Sequence, residues 1–257
     1  MAQTTRRMAE KLGGVTLRPV YQLLRPNSIS SRTLNYVIKE RLQTRRHLKW
    51  LVNATGVATQ MLLPFARLAI RANRFLAART PPASPLIEVS RHDHVDIDTW
   101  TSLWTKFKAV MPATCDRSWQ FYEWRYEHVP DLRYGFSVAK RNSEVVGILV
   151  WRRPLSDELN VGTIFDILAD PNDLDVVTAL LGDALDVLST TCESVVARTS
   201  HRALLAVLKN AGFLLVKRHN PTVVSGNHDT RRLFENHAEA ILFSKADHDW
   251  DQIHVAI

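Results

Sequence analysis

The length and composition of the chain fit one ordinary domain with an extension, or two small domains. It has 257 residues, of which 46% are apolar, so it can bury a packed core. Its two cysteines, Cys115 and Cys192, exclude a disulfide framework and a spaced set of cysteine metal ligands. The first residues lack the compact apolar region and cleavage site of a secretory signal. We therefore expect a cytoplasmic protein.

Charge divides the chain into two parts. The net charge is +7, but residues 1–80 hold 15 Lys/Arg against two acidic residues, a net charge of +13, whereas residues 81–257 hold 18 Lys/Arg and 24 Asp/Glu, a net charge of −6. Three prolines between residues 81 and 85 cannot continue a helix. The pattern predicts a basic helical extension with a proline-rich linker over residues 1–84, and a folded domain over residues 85–257.

The basic part has the spacing of helices. Apolar residues recur at helical intervals between residues 31 and 49, and again between residues 67 and 75, with Lys and Arg among them. The 17 residues from 50 to 66 carry no charge but are too polar for a membrane span. Three interpretations stay open: a basic arm that packs on a partner domain, a helix on an anionic membrane surface through residues 31–79, and a nucleic-acid arm. No recognised nucleic-acid motif supports the third, so we do not expect nucleic acid as a partner.

After the linker, strand and helix patterns alternate. Alternating and fully apolar runs predict strands, and apolar stripes at a spacing of three to four residues predict helices. Asp98, Asp116 and Ser200 are expected to cap helices, and Gly212 is expected to end one in the left-handed conformation. The resulting order is strand 86–89, helix 98–110, helix 116–126, strands 134–141, 144–151 and 161–168, helix 177–188, strand 193–198, helix 200–212, and strands 213–218 and 240–244.

This order resembles that of the GNAT superfamily of N-acetyltransferases over residues 85–257. Residues 208–213 (Leu-Lys-Asn-Ala-Gly-Phe) resemble a helix end of that family. Residues 121–126 (Phe-Tyr-Glu-Trp-Arg-Tyr) resemble a segment in the second half of tandem-GNAT proteins, and residues 11–26 resemble the close of a preceding GNAT domain. The resemblance implies an α/β fold with a mixed central sheet, and a front GNAT domain or partner protein as a partner.

The resemblance also implies where a cofactor would bind. In the family, the fourth strand of the domain splays from the fifth, and acyl-CoA lies in the gap. The matching strands here are 161–168 and 193–198. Backbone groups of Phe165, Asp166, Ile167 and Leu168 would then bind acetyl-CoA or another acyl-CoA.

The loop that should hold the pyrophosphate departs from the family pattern. That pattern is Arg/Gln-x-x-Gly-x-Gly/Ala, in which glycines let backbone N–H groups approach the phosphates at a helix N-terminus. Here Asn172 stands at the first position, and Asp173, Asp175 and Val177 stand where small residues are usual. Carboxylates in the first turn cap a helix well but oppose a dianion. The sequence therefore predicts a degenerate loop, with Asn172 as its remaining contact.

Two further questions are proton transfer and substrate binding. Many family members carry a Tyr that protonates the leaving thiolate, where this chain has Leu208, so no catalytic residue is assigned. Trp124, Arg125 and Tyr126 are candidate substrate-binding residues, and Arg125 is alternatively a brace that pairs with an acid such as Asp166.

No metal site is predicted. The runs at residues 92–94 and 247–249 contain His and Asp but no third element at ligand spacing. The first functional hypothesis is an acyltransferase domain that moves an acyl group from acyl-CoA to an amine, with a degenerate pyrophosphate loop. The alternatives are a non-catalytic GNAT-like interaction domain that supports a front domain or partner, and a peripheral membrane module.

Overall fold

The computed structural model describes residues 15–16, 19–32, 34, 55–77, 86–111, 113–129, 132–154, 160–219, 222–223, 232, 241–242, 244 and 246. Its strands are β1 (Val15–Thr16), β2 (Val20–Pro26), β3 (Ile87–His92), β4 (Ala113–Thr114), β5 (Tyr134–Arg141), β6 (Glu144–Arg152), β7 (Val161–Ala169), β8 (Ser194–Thr199), β9 (Leu214–His219), β10 (Thr222–Val223) and β11 (Ile241–Leu242). Its helices are α1 (Thr55–Ala77), α2 (Ile97–Val110), α3 (Trp119–Tyr122) with a π-helical turn (Glu123–Glu127), α4 (Leu174–Thr191) and α5 (Arg202–Asn210).

A seven-stranded mixed sheet organises the described residues. Its strand order is β3-β5-β6-β7-β8-β2-β9. Strands β7 and β8 run parallel, and every other neighbouring pair is antiparallel. This confirms the predicted α/β class with a mixed central sheet.

Helices cover both faces of this sheet. Adjacent residues of a strand point to opposite faces. Ser137 of β5 donates a hydrogen bond from Oγ to Asp183 of α4, whereas the ring of its neighbour Phe136 contacts Tyr122 and Tyr126 beside α3. The apolar runs of β5, β6 and β7 are therefore buried from both sides, as expected for strands with few polar residues.

Two local signals in the sequence are confirmed. Asn142 and Ser143 adopt positive φ angles of 52° and 66° at the β5–β6 turn, the conformation that a two-residue hairpin requires. Gly212 adopts a φ of 88° just after α5, where a side chain would be strained. Both positions depend on a few neighbouring residues only, which is why the sequence predicts them.

Strand β2 lies inside the sheet, between β8 and β9. Val20 and Leu23 are completely buried there. The next residue after the strand, Asn27, donates hydrogen bonds from Nδ2 to the carbonyl oxygens of Leu188 and Cys192 at the end of α4. The sheet thus uses a strand from the first 84 residues, and the division into residues 1–84 and 85–257 stays a prediction.

Two predicted helix caps lie two residues from the observed caps. The N-cap of α2 is Asp96, whose Oδ1 accepts from the N–H of Thr99 at 2.8 Å, and not Asp98. The backbone of Asp96 is extended, so its carboxylate can reach back to the helix, whereas Asp98 is already in the first turn. Ser118 caps α3 in place of Asp116, which instead accepts from the Ser118 N–H at 3.0 Å.

The end of the chain also differs from the prediction. His201, not Ser200, occupies the N-cap position of α5, and the Thr199 hydroxyl accepts from its N–H. Residues 240–244 were expected to close the main sheet. The described part of that range, β11, pairs instead with β4 in a separate parallel ladder, because β2 already fills the place beside β8.

Several predictions fall on residues that the structure does not describe. These include most of the predicted helix at 31–49 and the run at residues 247–249. Within the described ranges, no helix combines the length and the apolar character needed to cross a bilayer.

Candidate active-site cleft

Strands β7 and β8 part in the middle of the sheet. They pair only from Val161 to Thr163 on β7 and from Ser194 to Val196 on β8. Beyond those positions the two strands diverge, which leaves one edge of β7 from Ile164 onward without β8 pairing. The family resemblance implies such a splay between the strands at residues 161–168 and 193–198, and the structure shows it between β7 and β8.

Little open space remains between the two strands where they part. The remaining apolar cavity has a volume of about 40 Å³. That volume holds only a few water-sized groups, whereas pockets for ligands of cofactor size measure about 300–1,000 Å³. The cavity walls come from β6, β7, α4, β8, α5, β11 and the segment after β11: Leu149, Ile164, Phe165, Asp166, Ile167, Val177, Leu181, Ala197, Arg198, Thr199, Leu204, Val207, Leu208, Leu242 and Ser244.

A buried ion pair stands at the wall of this gap. Arg117 Nε donates to Asp166 Oδ2 at 2.5 Å, and both side chains are 2% exposed. The other carboxylate oxygen of Asp166 accepts from the Ile167 N–H at 3.0 Å, and the Tyr126 hydroxyl reaches Oδ2 at 3.2 Å. Arg117 also donates to the Ser244 hydroxyl, which ties the segment after β11 to the cleft.

Arg117 is the main site residue that sequence reasoning missed. The sequence offers Arg125 as a brace that pairs with an acid such as Asp166, and the structure shows that Arg117 donates to both oxygens of that carboxylate. The guanidinium of Arg125 lies 5.7 Å from the centre of the Trp124 ring. The spacing of residues in the sequence does not indicate that Arg117 is buried, because the loop before α3 sets the direction of its side chain.

The three predicted substrate-binding residues do not share one surface. Trp124 is 56% exposed, while Arg125 and Tyr126 are buried. Tyr126 points to the cleft through its bond to Asp166, and its ring packs edge-on against Tyr134 at 5.1 Å. Tyr126 therefore contacts a residue that lines the gap.

Aromatic packing supports this wall of the cleft. Tyr122 donates from its hydroxyl to Glu127 at 2.5 Å and accepts from the Val95 N–H. Burial and the Glu127 carboxylate raise the pKa of Tyr122 above its ordinary value, so the hydroxyl stays protonated at neutral pH. Tyr122 is therefore a fixed structural donor.

The predicted cofactor contacts divide between the gap and the loop. Phe165, Asp166 and Ile167 line the gap, and Leu168 is buried beside them. Asn172 is exposed in the loop before α4. Its backbone N–H donates to Oδ1 of Asp170 at 2.9 Å.

The loop before α4 uses its own oxygen atoms to satisfy its N–H groups. The N–H of Asp173 donates to the Asp170 carbonyl, and that of Leu174 donates to the Asn172 carbonyl. Asp173 is the N-cap of α4, and its side chain accepts from the N–H of Val176. Together with the Asn172 N–H, four N–H donors at this helix end are therefore engaged within the loop.

Asp173 is further held by Arg141 of β5. The guanidinium makes two hydrogen bonds to the carboxylate, at 2.8 and 3.1 Å. These bonds hold the pKa of Asp173 below its ordinary value of 3.8, with the Val176 N–H adding to the effect. The carboxylate is therefore charged at neutral pH.

Asp173→Ala is expected to lower the free energy of unfolding at pH 7 by about 1 kcal/mol, through loss of the N-cap. Because the folded state lowers this pKa, the stabilisation is complete above about pH 4 and is lost as pH falls below 3.8 through the lowered value. Urea unfolding of both proteins from pH 7 to pH 2.5 should show the difference shrinking on the acid side. Asp175→Ala, at an exposed position that caps no helix, is the control. A difference independent of pH would contradict the assignment.

The strand order, the splay and the helix after β7 together define the fold of the GNAT N-acetyltransferases. The chain is similar in structure to a GCN5-related N-acetyltransferase from Anabaena variabilis ATCC 29413, with a TM-score of 0.50 and 8% sequence identity. The match covers 84% of this chain and 42% of that protein, so the chain spans less than half the length of its neighbour.

No protein-family model and no curated protein sequence matches the chain. The GNAT-like fold therefore rests on structure. Among the residues described, no group of three or more His, Cys, Asp or Glu side chains is arranged to hold a metal ion.

Proposed function

We propose that this chain is a GNAT-fold interaction domain without acyltransferase activity, which supports a front GNAT domain or a partner protein in the cytoplasm. The observation that carries the proposal is the loop before α4. Four of its N–H groups, those of residues 172, 173, 174 and 176, bond to the loop's own oxygens, and its N-cap carboxylate is held by Arg141.

Electrostatics opposes the usual cofactor at this loop. A pyrophosphate at the N-terminus of α4 would meet Asp170, Asp173 and Asp175. At 4–6 Å and an effective dielectric constant near 20, each like-charge pair costs about 3–4 kcal/mol before screening. Micromolar affinity corresponds to only about 8 kcal/mol. Arg141 offsets one of these charges, since it pairs with Asp173, but two remain.

The edge strand β9 supports an interaction role. Among the described residues it pairs with β2 only, and three consecutive apolar side chains, Leu214, Leu215 and Val216, are 51%, 49% and 38% exposed. Unpaired N–H and C=O groups at such an edge form hydrogen bonds readily with a strand of a partner. A partner that covers β9 would bury these apolar side chains.

Acyl transfer from acyl-CoA to an amine is the second candidate function. The parting of β7 and β8 favours it, because that gap is where the family holds its cofactor. Phe165, Asp166, Ile167 and Leu168 would bind the acyl-CoA through their backbone groups after the side chains in the gap move. Leu208 supplies no proton for a leaving thiolate, so the attacking amine would have to expel it unaided.

Calorimetry with acetyl-CoA should detect no binding tighter than about millimolar, because the loop repels the pyrophosphate. Titration with inorganic pyrophosphate at low salt measures the electrostatic repulsion by the loop separately from contacts with the rest of acetyl-CoA. The Asp173→Ser/Asp175→Ala variant keeps a capping hydroxyl and removes two charges, so its pyrophosphate affinity should rise by about tenfold or more.

Glu88→Gln/Asp98→Asn removes two exposed negative charges elsewhere and serves as the matched control, with no comparable gain expected. Micromolar binding of acetyl-CoA by the unchanged chain would overturn the non-catalytic proposal. Release of free thiol from acetyl-CoA in the presence of an amine would then establish the second candidate.

A further inference from the structure

Helix α1 carries an apolar surface that faces away from the domain. Met61, Leu62, Phe65 and Leu68 are all large and largely exposed, with Phe65 at 70% and Leu68 at 65%. At 100° per residue these four positions, with the exposed Ala69 and Ala72, fall within one arc of the helix. We call this arc the outer apolar face. Its members are contiguous, whereas single exposed apolar residues are ordinary on a protein surface.

The opposite side of α1 fixes the helix to the domain. Thr59 and Ile70 are buried, and Asn73 donates from Nδ2 to the carbonyl oxygen of Gly212 at 2.8 Å. The second half of the helix therefore lies along the domain surface, where Ile70 and Asn73 contact it. The outer apolar face consequently cannot turn inward without breaking these contacts.

A basic row borders the outer apolar face. Arg67 and Arg71 are exposed and stand one turn apart between the buried and the apolar sides. Both line a cavity of about 450 Å³, whose other walls are Ile70, the residues from Asn27 to Ser30, and Glu193. The Glu193 carboxylate accepts from the N–H and the hydroxyl of Ser30. The space beside the two arginines is large enough for a phosphate-containing headgroup.

We propose that α1 is a docking surface for an anionic lipid membrane. The outer apolar face enters the region between headgroups and acyl chains, and the basic row contacts lipid phosphates through Arg67 and Arg71. Residues 55–77 hold no acidic residue, so the charge on this helix has one sign. An apolar arc beside a purely basic border fits an anionic interface, which attracts positive charge and accepts apolar side chains. This inference does not depend on the proposed function.

Sedimentation with vesicles tests the proposal directly. The full chain should pellet with phosphatidylcholine vesicles that contain 30 mol% phosphatidylserine, and more weakly with pure phosphatidylcholine. Raising NaCl from 50 to 500 mM should reduce binding to the anionic vesicles, since salt screens the arginines. Phe65→Ser/Leu68→Ser and Arg67→Gln/Arg71→Gln should each lower the partition coefficient by about tenfold or more.

Matched controls separate this surface from general changes in charge or apolarity. Leu86→Ser/Ile97→Ser removes two exposed apolar side chains elsewhere, and Arg133→Gln/Lys140→Gln removes two exposed charges elsewhere. Both should bind like the unchanged chain. All substituted side chains are exposed, so circular dichroism should show the same folded state throughout.

Three outcomes would overturn the proposal. The first is absence of pelleting by the unchanged chain at low salt. The second is equal binding by Phe65→Ser/Leu68→Ser. The third is a concentration-dependent dimer, found by light scattering without lipid, that Phe65→Ser/Leu68→Ser abolishes; the face would then be an interface between protein copies.

Discussion

Replacement of Asp166 by alanine is expected to lower the free energy of unfolding by about 3–5 kcal/mol, because it leaves the buried Arg117 guanidinium without the Asp166 carboxylate. The two groups meet at 2.5 Å and both are 2% exposed. The variant also removes the acceptor for the Ile167 N–H and the Tyr126 hydroxyl. Guanidinium unfolding followed by tryptophan fluorescence measures the loss.

Two comparisons make this result specific. The Arg117→Met/Asp166→Asn double variant removes both charges and keeps an acceptor oxygen, so it should lose less stability than Asp166→Ala. Glu144→Ala breaks the exposed Lys106–Glu144 pair and should change stability little, since water screens it. A loss with Asp166→Ala no larger than with Glu144→Ala would mean that the buried pair does not stabilise the domain.

The features predicted from the sequence depend on short-range patterns. The apolar stripe of α4 places nine of its side chains in the core, as the helical spacing of Val177, Leu180 and Leu188 indicates. The β5–β6 hairpin follows from the two turn residues and the alternation on each side. The apolar faces that the sequence indicates for these elements are the faces that become buried in the folded protein. Local and tertiary structure therefore agree at these positions.

The features missed depend on contacts between distant parts of the chain. Strand β2 pairs with β8 over more than 160 residues of separation, and its pattern of buried and partly buried residues does not alternate. The position of Arg117 against Asp166 likewise depends on a loop and on a residue of another strand. Local spacing contains neither piece of information, since both are set by the tertiary fold.

The contacts that fill the space between β7 and β8 stabilise the domain and, in the proposed function, also oppose cofactor binding. A sheet that splays must satisfy the backbone groups and apolar side chains at its open edge with a ligand or with the protein itself. Here the Ile167 N–H donates to Asp166, and Leu208 and Leu242 line the apolar cavity beside it. An acyl-CoA would have to displace contacts that also hold the core together.

Replacement of Trp100 by alanine is the second substitution with a large expected effect. The indole is completely buried, its ring centre lies 4.7 Å from that of Tyr122, and Nε1 donates to the Arg117 carbonyl at 2.7 Å. Loss of this volume should lower the free energy of unfolding by about 3–5 kcal/mol. Because the indole holds the backbone of Arg117, the variant should also loosen the cleft wall at Asp166.

Trp100→Phe separates the contribution of the buried volume from that of the hydrogen bond, because it keeps most of the apolar volume and loses the bond. This variant should lower the free energy of unfolding by about 1–2 kcal/mol. Trp124→Ala removes the exposed indole beside the same wall and should cost less than about 1 kcal/mol. Urea unfolding of the three variants orders these effects. Equal losses for Trp100→Ala and Trp124→Ala would show that α2 does not brace the cleft through Trp100.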